Sequence, residues 1–227
     1  MKIFDSLIRE AEKHLVYSPD LEHPKGIPWP DAGQQQMILR RDTAFELEGV
    51  GFNLITSGPI SDGIVLIGDD LCRIRENRPF ARITLVQVED DGDAQATYSL
   101  IKKIDYVKYH IFPDGYMIRS TSRSHQEAVR VSRSAIGNGI TFRQIGSLLI
   151  EKYRQIPAVQ GVRIIFITDP KANFHELQKI AGKSHEVTET LNHVMNKMVL
   201  DCNACNLKAI CDEVEGMKAL HFSQAKP

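Results

Sequence analysis

The most constraining feature of the chain is a short and almost entirely apolar segment, Val162 to Thr168 (VRIIFIT). It is interrupted by Arg163, and it is far too short to cross a bilayer, which takes about 20 residues in a helix. A run of this length that is rich in β-branched residues predicts a buried β-strand. We therefore expect the chain to fold around a sheet whose strands lie in the interior.

Other short apolar runs between Thr43 and Glu89 predict further strands. The turn signals expected to separate them are Gly49-Val50-Gly51, Gly58-Pro59, Asp62-Gly63 and Asn77-Arg78-Pro79. Two more strands are predicted downstream, at Tyr116 to Arg119 and Ala128 to Val131. The first half of the chain is therefore expected to be rich in short strands.

Helical periodicity marks three later segments: Ala94 to Phe112, Thr141 to Gln155 and Ser184 to Leu200. In the first of these, Tyr106 is expected on the buried side. Asp169 and Pro170 follow the apolar strand and are expected to cap and open a helix. Because strands and helices do not alternate strictly, the predicted fold class is α+β (mixed α/β), with helices and one buried strand in the second half and a cysteine-rich metal segment at the end.

The predicted organisation has four parts. They are an N-terminal helix over 1–18, a proline-rich strap over 19–36, a mixed α/β domain over 37–200, and a cysteine-rich metal-binding tail over 201–227 that packs on the same domain. The strap is expected because Pro19, Pro24, Pro28 and Pro30 exclude a helix.

Composition excludes several classes of protein. Among the 227 residues, 28 Lys+Arg against 29 Asp+Glu give a formal charge of -1, without the cationic excess of a general nucleic-acid binder. The 42% hydrophobic fraction argues against a disordered chain. The charged N-terminus lacks the apolar centre of a signal peptide. We expect a cytoplasmic protein that has neither a nucleic-acid nor a membrane partner.

The spacing of the cysteines is the feature of the sequence that points to a chemical function. Cys202, Cys205 and Cys211 lie within ten positions of one another. A Cys-x2-Cys pair lets two thiolates reach one metal, and the third cysteine arrives on the following turn of chain. In a reducing compartment such a cluster more often holds metal than disulfides. Thiolates are soft ligands, so iron in a sulfide cluster, zinc, nickel and copper are the candidate metals.

The fourth ligand has two candidates, Cys72 and His221. Cys72 could instead be a buried core thiol, and His221 an ordinary histidine. Ligation by all four cysteines predicts a [4Fe–4S] cluster, whereas three cysteines and a histidine make zinc the alternative.

The second half of the chain resembles the catalytic β subunit of carbon monoxide dehydrogenase/acetyl-CoA synthase. The matching pieces are Ala128 to Ile136 (AVRVSRSAI), Thr141 to Gly146 (TFRQIG) and Ile165 to Pro170 (IFITDP), followed by a helix that leads into Cys-x2-Cys. The stretch from Glu46 to Val88 is more loosely similar to the preceding domain of that family. The resemblance thus covers about two thirds of the chain.

The resemblance implies a [4Fe–4S] cluster on the cysteine segment and a place in anaerobic one-carbon and acetyl-CoA metabolism. It implies methyl or acyl transfer with coenzyme A, and a corrinoid or carbon monoxide dehydrogenase-type protein as partner. The family's Cys-Gly-Cys tripeptide, which holds its second nickel, does not occur among these residues. We therefore expect no nickel. A non-catalytic accessory or electron-transfer subunit, or a structural zinc or iron–sulfur staple in a binding domain, remains an alternative.

Five arginines form a local basic cluster: Arg119, Arg123, Arg130, Arg133 and Arg143. Guanidinium groups bind phosphates through a fixed bidentate fork. The equivalent region of the resembled family is associated with coenzyme A, which implies that Arg119, Arg130 and Arg133 bind its phosphates. The alternative is a solvated strand and loop face.

Overall fold

The computed structural model describes residues 3–15, 28–41, 43–89, 94–121, 126–195 and 209–210. The described elements are, in chain order, α1 (Asp5–Lys13), β1 (Ala44–Thr56), β2 (Gly63–Ile67), β3 (Arg78–Val88), α2 (Ala94–Tyr106), β4 (Tyr116–Thr121), β5 (Gln126–Ser132), α3 (Arg133–Gly137), α4 (Phe142–Arg154), β6 (Val159–Ile167) and α5 (Phe174–Met195). Two 3₁₀ turns, Leu71–Arg73 and Val107–His110, join them. The fold is α+β.

The six strands form one mixed sheet in the order β2-β6-β3-β1-β5-β4. Two neighbouring pairs, β1 with β3 and β2 with β6, are parallel, and the other pairs are antiparallel. The predicted apolar strand is β6, which lies between β2 and β3. Strands covered on both faces read as continuous apolar runs, which explains the VRIIFIT segment.

Helices cover both faces of the sheet. On one face, Phe142 of α4 stacks on Phe80 of β3 and Phe166 of β6, with ring centroids 5.9 and 4.5 Å away. On the other face, Asp5 of α1 accepts a hydrogen bond from the Thr56 hydroxyl, and α5 packs along β1. The core therefore has two layers, one on each side of β1, β3 and β6.

β1 is longer than the sequence predicted. The expected turn at Gly49-Val50-Gly51 is wrong, because these residues lie inside one 13-residue strand. Close packing requires the two glycines: a Cβ at Gly49 would lie 1.8 Å from the carbonyl oxygen of Phe80, and one at Gly51 would lie 2.3 Å from Glu127 Oε2. In this chain the glycines mark close approaches between strands.

The end of α2 also differs from the prediction. The α-helix stops at Tyr106 and continues as the 3₁₀ turn Val107–His110. Tyr106, expected on the buried side, is 59% exposed, while Ile101, Ile104 and Val107 are buried. The predicted buried side of the helix therefore wrongly included Tyr106, although it correctly continued to Val107.

α5 begins later than predicted, and it is one helix. Asp169 accepts a hydrogen bond from the Lys171 N–H, 2.9 Å away, which closes a local turn and does not cap a helix. The side chain that accepts from the first turn of α5 is Asn173, which accepts from Glu176 N–H. The helix then runs through Ser184 to Met195 without a break.

Residues 28–36 lie against the turn that precedes β4. The Trp29 indole donates to the Asp114 carbonyl, and the Gln36 amide donates to the Pro113 and Tyr116 carbonyls. Across the described ranges, no helix combines the length and apolar character that crossing a membrane requires.

Candidate functional site

The clustered cysteines predicted to bind metal, Cys202, Cys205 and Cys211, lie outside the described residues, and so does His221. Cys72 is described. It is a half-buried free thiol in the 3₁₀ turn that follows β2. Within the described ranges, no three histidine, cysteine or acidic side chains come close enough together to hold a metal ion.

One residue of the cysteine segment has a described position. Ile210, directly before Cys211, is in helical conformation and only 5% exposed. It belongs to the same hydrophobic core as the sheet. The segment is therefore attached to the domain at this residue.

Cys72 lies at the end of the sheet where α5 begins. The Thr168 N–H, just after β6, donates to the Ile67 carbonyl at 2.8 Å, and the Thr168 hydroxyl donates to the Asp69 carbonyl at 2.7 Å. These bonds place the entrance to α5 beside the loop that leads to Cys72. From there α5 runs for 22 residues, which corresponds to about 33 Å.

Two of the five arginines of the predicted basic cluster, Arg119 and Arg130, meet at one buried carboxylate, whereas Arg143 lies on α4. Arg119 and Arg130 donate to Glu46 Oε1 at 2.8 and 3.1 Å, and the Arg40 guanidinium lies 3.8 Å from Glu46 Oε2. The Arg133 guanidinium stacks 4.8 Å from the Phe45 ring centroid. Three guanidinium groups against one carboxylate leave an excess of two positive charges. Arg123 lies outside the described residues.

A second ionic cluster, which sequence reasoning missed, lies in the core. Arg82 on β3 is fully buried, and its guanidinium donates to both Glu127 oxygens at 2.7 and 2.8 Å. The Lys108 ammonium lies 3.2 Å from Glu127 Oε2. Burial opposes ionisation of Glu127, but the charges of Arg82 and Lys108 outweigh it and lower its pKa to about 2. The available signal was one arginine inside the apolar strand PFARITLV.

Asn53 links this ion pair to α2. Its side-chain oxygen accepts from Arg82 at 3.0 Å and from the Tyr153 hydroxyl at 3.1 Å, and its nitrogen donates to Asp105 Oδ1 at 2.8 Å. Burial raises the pKa of Asp105, although Asn53 and Lys108 partly offset it. Acids with perturbed pKa values grouped in this way are typical of functional sites.

A cavity of about 600 Å³ adjoins the network. β1, α2, the Val107–His110 turn and α5 contribute most of its lining, and Phe4 contributes from before α1. Asn53, Asp105 and Lys108 belong both to the network and to the cavity wall. Ordinary ligand sites have this size, and the cavity wall includes Asp105, an acid whose pKa is raised by burial.

The sequence held little signal for the cavity. Its walls come from residues as far apart in the chain as Phe4 and Thr188, so no local motif could reveal them.

Comparison with known proteins gave no identification. Neither protein-family models nor curated proteins contain a match to this chain.

Proposed function

We propose that this chain is a cytoplasmic iron–sulfur protein of anaerobic one-carbon metabolism, similar to the acetyl-CoA synthase β subunit. Cys202, Cys205 and Cys211 hold a [4Fe–4S] cluster, which supplies one-electron transfer. The observation that carries the proposal is the buried Ile210, because it anchors the chain between Cys205 and Cys211 on a rigid core. Anchoring keeps thiol ligands near one another, as a cluster requires.

We expect His221 to be the fourth ligand in preference to Cys72, and with three cysteines and a histidine zinc is the alternative metal. Cys72 lies near the start of α5, whereas the cysteine segment follows the end of that helix. The six residues 196–201 can span at most about 21 Å, which is less than the length of α5. Replacing each candidate with Ala separately tests the choice: His221→Ala should lose cluster absorbance, and Cys72→Ala should keep it.

The cluster itself is tested by anaerobic purification, iron and sulfide analysis and electron paramagnetic resonance. One [4Fe–4S] cluster per chain is expected, with loss of the signal in Cys205→Ser. Asn206→Ser, which alters the neighbouring residue without removing a thiol, is the matched control and should retain the cluster. Stoichiometric zinc without iron or sulfide would reject the proposal and favour the structural staple.

The arginine cluster supports a coenzyme A site. The excess positive charge around Glu46 suits the phosphates of that molecule, with Arg119, Arg130 and Arg133 as the residues that bind them. Calorimetry with coenzyme A checks this: Arg119→Gln should weaken binding about tenfold, the equivalent of one charge-assisted hydrogen bond. Affinity that is unchanged in this variant would remove the assignment.

An accessory electron-transfer role is the second candidate, and it requires only the [4Fe–4S] cluster. A cluster without the nickel ligands passes electrons but does not assemble an acetyl group. Incubation of the purified chain with a methylated corrinoid protein, carbon monoxide and coenzyme A distinguishes the two roles. Acetyl-CoA formed with turnover identifies a methyl- and acyl-transferring enzyme, and its absence alongside an intact cluster identifies the accessory subunit.

A further inference from the structure

The cavity exists because β1 extends beyond the end of its antiparallel neighbour, β5. Pairing with β5 extends from Ala44 to Val50, whereas β1 continues to Thr56. Beyond Val50, no described strand pairs with this side of β1. Residues 51–56 therefore form a bare edge of β1. α2, the Val107–His110 turn and α5 surround this edge and enclose the cavity.

The bare edge supplies polar backbone groups to the cavity floor. The Asn53 carbonyl accepts from the Ser184 hydroxyl of α5 at 3.3 Å, so it points away from β3 and toward the cavity side. In a strand, the N–H and C=O of one residue point to the same side. Asn53 and its alternate neighbours Gly51 and Ile55, which also line the cavity, therefore face it with hydrogen-bonding groups.

The charges around the cavity do not cancel. Arg82, Lys108 and Lys102 are positive, and Glu127 and Asp105 are negative, which leaves one positive charge. Lys102 accounts for this excess: no described carboxylate lies within salt-bridge distance of its ammonium, although its charge acts on Asp105, and the ammonium lies 5.4 Å from the Tyr98 ring centroid.

The mouth of the cavity is aromatic. Tyr106 and Tyr109 are 59% and 45% exposed, and their rings meet edge to face with centroids 6.1 Å apart. They are two of the three large hydrophobic side chains that the described part of the chain leaves exposed. Ile101 and Phe4 add apolar wall inside. An aromatic mouth over a cationic interior fits a ligand with an apolar body and one charged group.

We propose that this cavity binds a small organic monocarboxylate, whose charged group meets the Lys102 ammonium and whose apolar body lies against Tyr106 and Tyr109. The single excess positive charge selects a monoanion over a phosphate dianion. Polar groups on the ligand pair with the backbone edge at Gly51 and Asn53. The site is independent of the proposed cluster, since none of its residues is a candidate metal ligand.

The test is isothermal titration of the full-length chain with phenylacetate, compared with neutral phenylacetamide and with inorganic phosphate. Phenylacetate should bind, and each of the other two should bind at least about tenfold more weakly, the difference expected for one charge-assisted contact. Failure of phenylacetate to bind at millimolar concentration, or stronger binding of phosphate, would overturn the proposal.

Variants locate the site. Lys102→Met should weaken phenylacetate binding about tenfold. Lys103→Met is the matched control, because Lys103 is the adjacent residue of α2, is exposed and does not line the cavity. Its affinity should equal that of the unmodified chain. Tyr106→Ala should weaken phenylacetate and phenylacetamide together, since both share the ring. Equal effects of the two lysine variants would refute the assignment to this cavity.

Discussion

At the residue scale, Arg82 is the position in the described chain where we expect a substitution to cost the most stability. It is fully buried, and its guanidinium is satisfied by Glu127 and Asn53. Removal of one member of a buried ion pair leaves the other charged and desolvated, at a cost of about 3 to 5 kcal/mol.

Arg82→Met should therefore lower the free energy of unfolding by about 3 to 5 kcal/mol, measured by urea denaturation. The double variant Arg82→Met, Glu127→Met should recover part of the loss, because neither member of the pair remains, although Lys108 loses its carboxylate partner. A single variant as stable as the parent chain would show that Glu127 finds another partner.

Because the pKa of Glu127 is low in the folded chain, the stability of the fold depends on pH. Folding lowers this pKa from 4.5 to about 2, so the ionised carboxylate stabilises the fold fully above its unfolded pKa. That contribution is lost as the pH falls from 4.5 toward 2. Glu127→Gln should be less stable at neutral pH and should show a shallower decline in this window, measured by denaturation at a series of pH values.

The pKa of Asp105 shifts in the opposite direction to that of Glu127, so its effect on stability has the opposite sign. Burial raises its pKa above the ordinary 3.8, so the folded chain loses stability as rising pH ionises this group. Asp105→Asn should unfold at higher urea concentration than the parent at pH 7, and the difference should shrink as the pH approaches 3.8. Asp114→Asn, which removes an exposed carboxylate, is the matched control.

At the element scale, glycines in strands and helices have opposite roles. Gly49 lies where a Cβ would overlap the Phe80 carbonyl, whereas a Cβ at Gly182 in α5 would meet nothing within 4 Å. Gly49→Ala should destabilise the chain by about 3 kcal/mol or more. Gly182→Ala should stabilise it by about 0.5 to 1 kcal/mol, since alanine restricts the unfolded chain and favours a helix. Thermal unfolding of the two variants checks both signs.

The elements also show how far the sequence could predict the structure. The β6 strand and the α4 helix were predicted within a few residues, because apolar runs and a 3.6-residue period are local signals. Gly49 and Gly51 suggested a turn because both turns and close strand approaches select glycine, and only the neighbouring strands distinguish them. The start of α5 was missed because Asp169 and Asn173 both favour local hydrogen bonds, and either could have begun the helix.

At the scale of the whole molecule, Ile210 joins the cysteine segment to the core. Truncation of a buried isoleucine costs about 2 to 5 kcal/mol. Ile210→Ala should lower stability within this range and, under the proposed function, should speed the loss of iron to a chelator. Calorimetric unfolding and the decay of visible absorbance measure the two effects. Iron loss at the parental rate would argue that the segment binds its metal without support from the domain.

The candidate sites differ in how much of them the sequence could predict. The spacing of the cysteines is visible in the sequence itself, so the metal hypothesis could be made without knowledge of the fold. The cavity and the Arg82 network depend on which strands become neighbours, with Arg82 and Glu127 lying 45 positions apart. Each of these side chains is unremarkable alone. Their chemistry arises only when the sheet order brings β3, β1 and β5 side by side.

The bare half of β1 has a consequence for how the chain behaves before it is fully folded. Until α2 docks, the backbone of residues 51–56 presents unpaired donors and acceptors to any extended chain nearby, and exposed strand edges of this kind recruit copies of themselves. Loosening of α2 should therefore lower refolding yield through precipitation at concentrations where the native spectrum is still normal. The helix that walls the cavity thus also protects the chain from self-association.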